Sequence, residues 1–375
     1  MKALHVIRDL SASTGGPVSA LQNICRSQQL ADIDPRIVTN VSLNGAEGFY
    51  ETFDSGNQAE KTLSPGFTSV DRKLRNRRLK QALHEVQVVH LHGVWEGLLR
   101  SAARSAGAAR KQVIWTPHGM VTQWAMSQSK LKKGLYWRLA MRPSLPATTV
   151  QHFASTAERD ATVSVALLDR TCVVPLSIDT ESFGTAANPE FLAERFGIDG
   201  PSVLFVGRVH PGKGVEHLVA AAAHLPRKTC TFVIAGPADS AWAKGLQDRI
   251  GPTGPPFVFT GPLEPTDIAS ALRSAALFCL PSDHENFSMA TAEAMCCGTA
   301  TLLSREVAIA APAVAEQAAL FCRRDPKGLA ADIADAFSDP ARLSQTGDRA
   351  ARYAREHFSL RTAADRWRNL YQATP

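Results

Sequence analysis

Short apolar runs alternate with longer mixed stretches along the whole chain. In the first half the runs are Leu4–Ile7, Arg36–Val38, Val88–Gly93, Gln112–Gly119, His152–Thr156 and Cys172–Leu176. In the second half they are Ser202–Gly207, Thr231–Gly236, Phe257–Gly261, Leu277–Ser282, Ala300–Ser304 and Ala319–Cys322. Each reads as a short buried strand. The intervening segments, such as Val18–Leu30 and Leu74–Leu83, carry helical spacing. This alternation predicts an α/β fold with parallel sheets built from βαβ units. The stretch 176–191, LSIDTESFGTAANPEF, is polar and rich in Gly, Pro and Ser, and it reads as a linker. The expected architecture is two Rossmann-like domains facing across a cleft, at 1–176 and 177–350. A last helical segment, 351–375, is expected to cross back onto the first domain.

Length and composition sharpen this picture. A chain of 375 residues exceeds what one hydrophobic core usually holds. No apolar run reaches the roughly 18 residues of a membrane span. The N-terminus, MKALHVIRDL, is too short and interrupted for a signal peptide and reads as a first strand. Seven scattered cysteines without a CxxC pair point to free thiols in a reducing cytoplasm. Charge is uneven. Up to Ile178 there are 22 Lys+Arg against 13 Asp+Glu, a balance of +9; the remainder carries 19 against 22, a balance of −3, and together they give the net +6. A basic front and a mildly acidic back suggest different partners.

Ligands of open parallel sheets bind beyond the carboxyl ends of the strands, so the loops there hold the candidate chemistry. In DHENFSMATAEAMCCG, 283–298, a strand ends, a loop follows, and Ser288 is a candidate N-cap for a helix starting at Met289. That helix end suits a diphosphate. Glu285 in the loop and Glu293 in the helix are acceptor-only forks suited to hydroxyl pairs of a sugar or ribose. A cap and a plain salt bridge account for the same two carboxylates equally well on spacing alone. In GRVHPGKG, Arg208 directly follows Gly207, and Lys213 lies between two glycines, a pairing suited to neutralising a diphosphate. Walker A order is absent, as is the GxGxxG dinucleotide fingerprint, which argues against a dehydrogenase. Gly15 and Gly16 follow the first strand and fit either close ligand approach or a tight turn. His118 ends the TPHGM run. His90 and His92 alternate on one strand face, with His92 nearer the loop and Trp95 just beyond, both candidates for the acceptor side. No supporting carboxylates accompany the histidines, so no metal site is expected.

Together these motifs resemble the retaining GT4 (group 1) glycosyltransferases of GT-B fold, of the bacterial polysaccharide-assembly type. The resemblance rests on Glu285 and Glu293 in an E-x7-E arrangement, the GRVHPGKG loop, Gly15-Gly16 and TPHGM, in the order and domains such a chain requires, and it covers essentially the whole length. It implies that Arg208 and Lys213 bind the donor diphosphate and stabilise leaving-group charge. Glu293 would hold the ribose and Glu285 the transferred sugar. Backbone at Asn286, Phe287, Ser288 and Met289 would fix phosphate and sugar. The 259–263 segment, including Gly261 and Leu263, would hold the base. His118 would stand near the anomeric carbon, and Gly15 and Gly16 would let their loop approach phosphates and acceptor. The family implies front-face transfer with the leaving phosphate taking the acceptor proton, and no cofactor or metal. The usual EGFG motif reads Glu285-Asn-Phe-Ser288 here, which bears on sugar specificity. The linker reads PLSID where many relatives carry Asn-Gly. Asp32-Ile-Asp34 looks like a DxD pair but reads as a turn.

The basic charge is concentrated in segments 72–80 and 130–142, the second interleaved with Leu, Tyr and Trp. This mixture fits a solvated helix face or an anionic membrane surface, and no nucleic-acid motif accompanies it. The expected protein is a hexosyltransferase using a UDP-, GDP- or ADP-sugar and a lipid-linked glycan acceptor, in exopolysaccharide, O-antigen or lipopolysaccharide assembly. Its expected place is cytoplasmic, peripheral on the inner membrane face. A sugar-nucleotide epimerase or hydrolase, or a non-catalytic sugar-nucleotide binder, are the competing readings.

Overall fold

The computed structural model describes residues 1–10, 16–41, 47–53, 60–65, 79–185 and 187–372. Gly15 and all of the 72–80 segment except Leu79 and Lys80 lie outside the described residues. Internal contacts divide the chain into two units, Met1–Ser177 with Leu360–Pro375, and Ile178–Ser359.

The sheet of the first unit contains β1 (Lys2–Val6), β2 (Asp34–Val41), β3 (Glu47–Phe53), β4 (Glu60–Pro65), β5 (Val88–His92), β6 (Gln112–Thr116), β7 (Val150–Phe153) and β8 (Thr171–Val173). Their order is β4-β3-β2-β1-β5-β6-β7-β8. Six strands run parallel, while β3 pairs antiparallel with both β2 and β4. The β3–β4 pair is not legible in the sequence: EGFYETF and EKTLSP are too polar to read as buried strands. Every residue of β5 is buried, as expected for a central parallel strand covered on both faces. Trp115 and Trp137 stack with centroids 5.2 Å apart within the core cluster.

The second unit carries a six-stranded parallel sheet of β9 (Ser202–Val206), β10 (Thr231–Ala235), β11 (Phe257–Gly261), β12 (Leu277–Leu280), β13 (Thr301–Leu303) and β14 (Leu320–Phe321). Its order is β11-β10-β9-β12-β13-β14. The direction of winding reverses between β9 and β12, and the crevice at the carboxyl ends of those strands is where open sheets of this order bind ligands. Phe205, Phe232 and Phe278 fill its core.

The 350–371 stretch, which reads as one helix in sequence, is two. The first runs Pro340–Phe358 in the second unit, with Asp339 capping the Arg342 amide. It stops at Ser359, whose extended backbone breaks the helix, and the Ile178 amide donates to the Phe358 carbonyl there. The second, Leu360–Gln372, packs on the Gly16–Gln29 helix of the first unit and buries Trp367 and Tyr371. The 176–191 stretch, which reads as a linker in sequence, holds a helix at Thr180–Thr185. No helix among the described residues is long and apolar enough to cross a membrane.

Candidate functional site

In the second unit the candidate residues converge at the β9/β12 switch point. The loop after β9 carries Gly207, Arg208 and Lys213, and the loop after β12 carries Asp283–Ser288. Close backbone approach joins the two loops. Asp283 donates its amide to the Gly212 carbonyl at 2.9 Å, and the Ser282 hydroxyl donates to the same oxygen at 2.8 Å. Gly214, which opens the Val215–Ala222 helix, has φ 93°, and a Cβ there would stand 2.5 Å from the Pro281 carbonyl oxygen. Only glycine fits that contact.

This stitching brings Lys213 Nζ onto Glu285 Oε1 as a part-buried ion pair. Glu285 is itself fixed by its backbone: its amide donates to Glu306 and its carbonyl accepts from Ala308, both at 3.1 Å. Arg208 is exposed and makes no ion pair among the described residues, which leaves its guanidinium available to an incoming anion. Flanking ion pairs brace the loop. Arg324 donates to Asp283 at 2.5 Å and to Glu306 at 2.7 Å, while His217 lies 3.0 Å from Asp283. Sequence reading missed this brace because its members come from four separate segments. Glu216, His217 and Asp283 also bring potential metal-ligand atoms within 4.8 Å of one another. Asp283 Oδ1 is already taken by Arg324, so the group reads as an ion-pair brace.

Beyond the loop, Ser288 caps the Met289–Cys296 helix, its hydroxyl accepting from the Thr291 amide at 3.2 Å. Its φ of 73° lies in the left-handed region that glycine adopts without strain, which gives a structural reason for glycine at this place in the EGFG form of the motif. The Met289 and Ala290 amides have no partner among the described residues, so two donors at the positive helix end stay open. Phe287 is buried and packs edge-to-face on Phe358 with centroids 5.1 Å apart, anchoring the loop from beneath. Asn286 lies between Glu285 and this anchor. Gly261 ends β11, and its carbonyl accepts from the Gly236 amide beside the end of β9; Leu263 follows it, half-buried.

Glu293 sits in the second turn of the same helix. Its carboxylate has no hydrogen-bond partner among the described residues, and burial pushes it up to about 7 from an ordinary 4.5. The sign follows from proton counting. Between about 4.5 and 7 the unfolded chain releases this proton while the folded chain keeps it, so stability falls as pH rises through that window. Glu293→Gln should flatten this part of the stability–pH curve, recovering on the order of 2 kcal/mol at pH 8. Urea melts at pH 5 and pH 8 check it; equal pH dependence in both proteins would mean the carboxylate is not desolvated.

The first unit holds the other candidates. His118, at φ 51°, begins the turn after β6. The next amide, Gly119, donates at 2.6 Å to Glu158, a buried carboxylate that also receives the Ala154 amide at 2.7 Å and so ties the ends of β6 and β7 together. His118 Nε2 lies 3.0 Å from His92 Nδ1. His92, the acceptor-side candidate nearest the loop, is only 3% exposed, with both ring nitrogens engaged, one of them by His118. Trp95 packs against Tyr136 at 5.6 Å with Lys133 over its ring. Gly16 starts the Gly16–Gln29 helix and is exposed. Asp32 has φ 58° in the turn before β2, as a turn residue would.

Residues 200–339 match the family model described as glycosyl transferases group 1. The chain is 33% identical over 149 residues to a D-inositol 3-phosphate glycosyltransferase of Xylanimonas cellulosilytica, covering 35% of this chain and 34% of that one. It is 32% identical over 233 residues to a 2-deoxystreptamine glucosyltransferase of Streptomyces kanamyceticus, covering 56% and 57%. The matches thus span from about a third to somewhat over half of those relatives. Among solved structures, the sucrose-phosphate synthase of Thermosynechococcus elongatus superposes with TM-score 0.76 at 18% identity, covering 100% of this chain and 98% of that one. Anabaena HepE in complex with UDP and glucose gives TM-score 0.72 at 17% identity, covering 100% of both chains. At such identity these likenesses speak for the fold, which is GT-B.

Proposed function

We propose, for a chain that carries a group 1 glycosyltransferase domain within a GT-B fold, that the protein is a retaining, metal-independent hexosyltransferase. It moves a hexose from a nucleotide-sugar donor to a glycan acceptor. The observation that carries this reading is the cationic switch point: Arg208, unpaired among the described residues, Lys213 held by Glu285, and amides at one helix end that are open among the described residues. Each is a device for a diphosphate whose charge grows as the sugar departs. In this reading Arg208 and Lys213 stabilise the leaving diphosphate, and Met289 and Ala290 donate amides to it. Glu293 accepts from the ribose, and Glu285 with its neighbours orients the sugar. Gly261 and Leu263 border the base, and Gly15, Gly16 and His118 belong to the sugar and acceptor side. The departing phosphate takes the acceptor proton. A UDP-sugar is the first donor to try, since HepE was solved with UDP and with UDP-glucose.

Thermal melts with UDP, GDP and ADP test the donor site. A nucleotide at a hundredfold its Kd stabilises by about 2.7 kcal/mol. One base should raise the Tm of the wild type and leave Arg208→Ala unmoved; no shift with any base removes the reading. Acceptor-dependent nucleotide release separates a transferase from an epimerase or hydrolase, and the anomeric configuration of the product, with activity in EDTA, tests retention and metal independence.

The acceptor is proposed to be lipid-linked and reached from an anionic inner-leaflet surface, in exopolysaccharide, O-antigen or lipopolysaccharide assembly. Leu131, Leu135 and Leu139 recur every four residues and are 90%, 62% and 72% exposed, with Trp124 at 54%. Lys130, Lys132, Arg138 and Arg142 stand exposed beside them. An apolar ridge set among cations matches the interface of an acidic bilayer. The protein should co-sediment with phosphatidylglycerol-containing vesicles, less so at high salt and with Leu131→Glu/Leu135→Glu. Failure to bind such vesicles at low salt would remove the membrane partner.

A further inference from the structure

Five histidines of the first unit belong to one hydrogen-bond chain. His118 Nε2 meets His92 Nδ1 at 3.0 Å, His92 Nε2 meets His5 Nδ1 at 2.9 Å, and His5 Nε2 meets Gln28 Oε1 at 2.8 Å. The Gln28 amide nitrogen lies 2.7 Å from the Tyr371 hydroxyl, which lies 2.8 Å from His90 Nδ1. His90 Nε2 meets the Thr116 hydroxyl at 2.6 Å, and that hydroxyl meets His152 Nδ1 at 2.8 Å. His152 Nε2 ends the chain on the Val174 carbonyl at 2.8 Å.

The far end sets the direction of every bond. A carbonyl only accepts, so His152 carries its hydrogen on Nε2. In a neutral ring Nδ1 is then bare and must accept from the Thr116 hydroxyl. The Thr116 oxygen therefore accepts from His90 Nε2, which leaves His90 Nδ1 to accept from Tyr371. With its hydrogen committed there, the Tyr371 oxygen accepts from the Gln28 amide nitrogen. That turns Gln28 Oε1 toward His5, which must donate from Nε2 and accept at Nδ1. His92 donates to it from Nε2, accepts at Nδ1, and receives the hydrogen of His118 Nε2.

We infer that Tyr371 and Gln28 are positioning residues that transmit this polarity and hold His118 as the Nε2–H tautomer, so that its Nδ1 serves as a hydrogen-bond acceptor for a ligand hydroxyl. The hydroxyl clause rests on the proposed transferase reading; the tautomer does not. Neutral rings are required throughout, and the surroundings enforce them. His5, His90 and His152 are fully buried, and no carboxylate joins the chain. The His90–His92, His5–His92 and His92–His118 centroids are 4.3, 5.2 and 5.3 Å apart, too close for neighbouring cations. Burial accordingly lowers His5 and His152 to about 4 and His118 to about 3. The potential ligand atoms of His5, His90 and His92 lie within 4.8 Å of one another, but all six ring nitrogens are engaged in the chain.

Long-range proton–nitrogen correlation spectra of the histidine-labelled full chain test this directly, with His118→Gln identifying the His118 signals. All five rings are expected as Nε2–H at neutral pH, and His118 with a bare Nδ1. Tyr371→Phe frees the Gln28 amide to turn over, so His118 should split between both tautomers while the UDP, GDP and ADP melts stay as in the wild type. An Nδ1–H signal from His118 or His92 in the wild type overturns the inference. So does a folded Tyr371→Phe protein whose His118 keeps one tautomer. A wrong transferase reading leaves a different mark: the spectra hold, but the wild type shows no acceptor-dependent release of nucleotide.

Discussion

Lys213→Ala is expected to lower turnover in an acceptor-dependent transfer assay by on the order of 10²-fold. The effect is large because Lys213 acts on two charges. In the free protein its ammonium is neutralised by Glu285 in a part-buried pair. When a diphosphate arrives, the same ammonium can share its three donors with the new anion, while Glu285 remains to take a sugar hydroxyl. Without it, Glu285 faces the anionic donor uncompensated, so attraction at the leaving group is replaced by repulsion. Both nucleotide affinity and turnover should fall, and turnover more, because charge on the leaving group grows toward the transition state. Lys213→Arg keeps the charge but not the compact geometry, and should recover binding better than turnover. Initial rates with a saturating donor, beside nucleotide melts, separate the two effects. An unimpaired Lys213→Ala enzyme would remove Lys213 from the reaction.

Gly214→Ala should damage both the stability of the second unit and its nucleotide site. A methyl there would meet the Pro281 carbonyl oxygen at 2.5 Å and its carbon at 2.6 Å, and the backbone φ of 93° is strained for any residue with a Cβ. Both contacts are backbone, which cannot turn aside as a side chain does. The β9 and β12 loops would have to separate, and the bonds from Ser282 and Asp283 to Gly212 would stretch with them. A loss of about 3 kcal/mol in stability is expected from steric and conformational strain together. The nucleotide-induced Tm shift should vanish, because Lys213 and Glu285 are carried by the two separated loops. Urea melts and nucleotide melts on the same preparation check both effects. Wild-type stability with wild-type nucleotide binding would mean the two loops need not touch.

Much of the fold is legible in the amino-acid sequence. Strand positions were readable because parallel strands buried on both faces leave uninterrupted apolar runs such as VVHLH and SVLFV. The placement of the candidate residues was readable because binding loops follow strand ends, and Arg208, Lys213, Glu285 and Glu293 all lie in or just beyond such loops. The β3–β4 pair was not, since an antiparallel edge can be polar and its pairing is held by backbone bonds. The helix break at Ser359 was equally hidden, because FSLR contains neither Gly nor Pro; the break depends on the Phe358 carbonyl finding the Ile178 amide, 180 positions away.

The order of apolar runs and the residues placed after them determined, by themselves, the α/β architecture, the two-part organisation and the cationic loop, because each is encoded over a few adjacent positions. Only the tertiary structure decided which charges neutralise one another and which nitrogen of His118 carries a proton. Such properties belong to contacts, not to residues: Lys213 meets Glu285 through a glycine that admits a carbonyl, and the state of His118 is set by partners running from His5 to Tyr371.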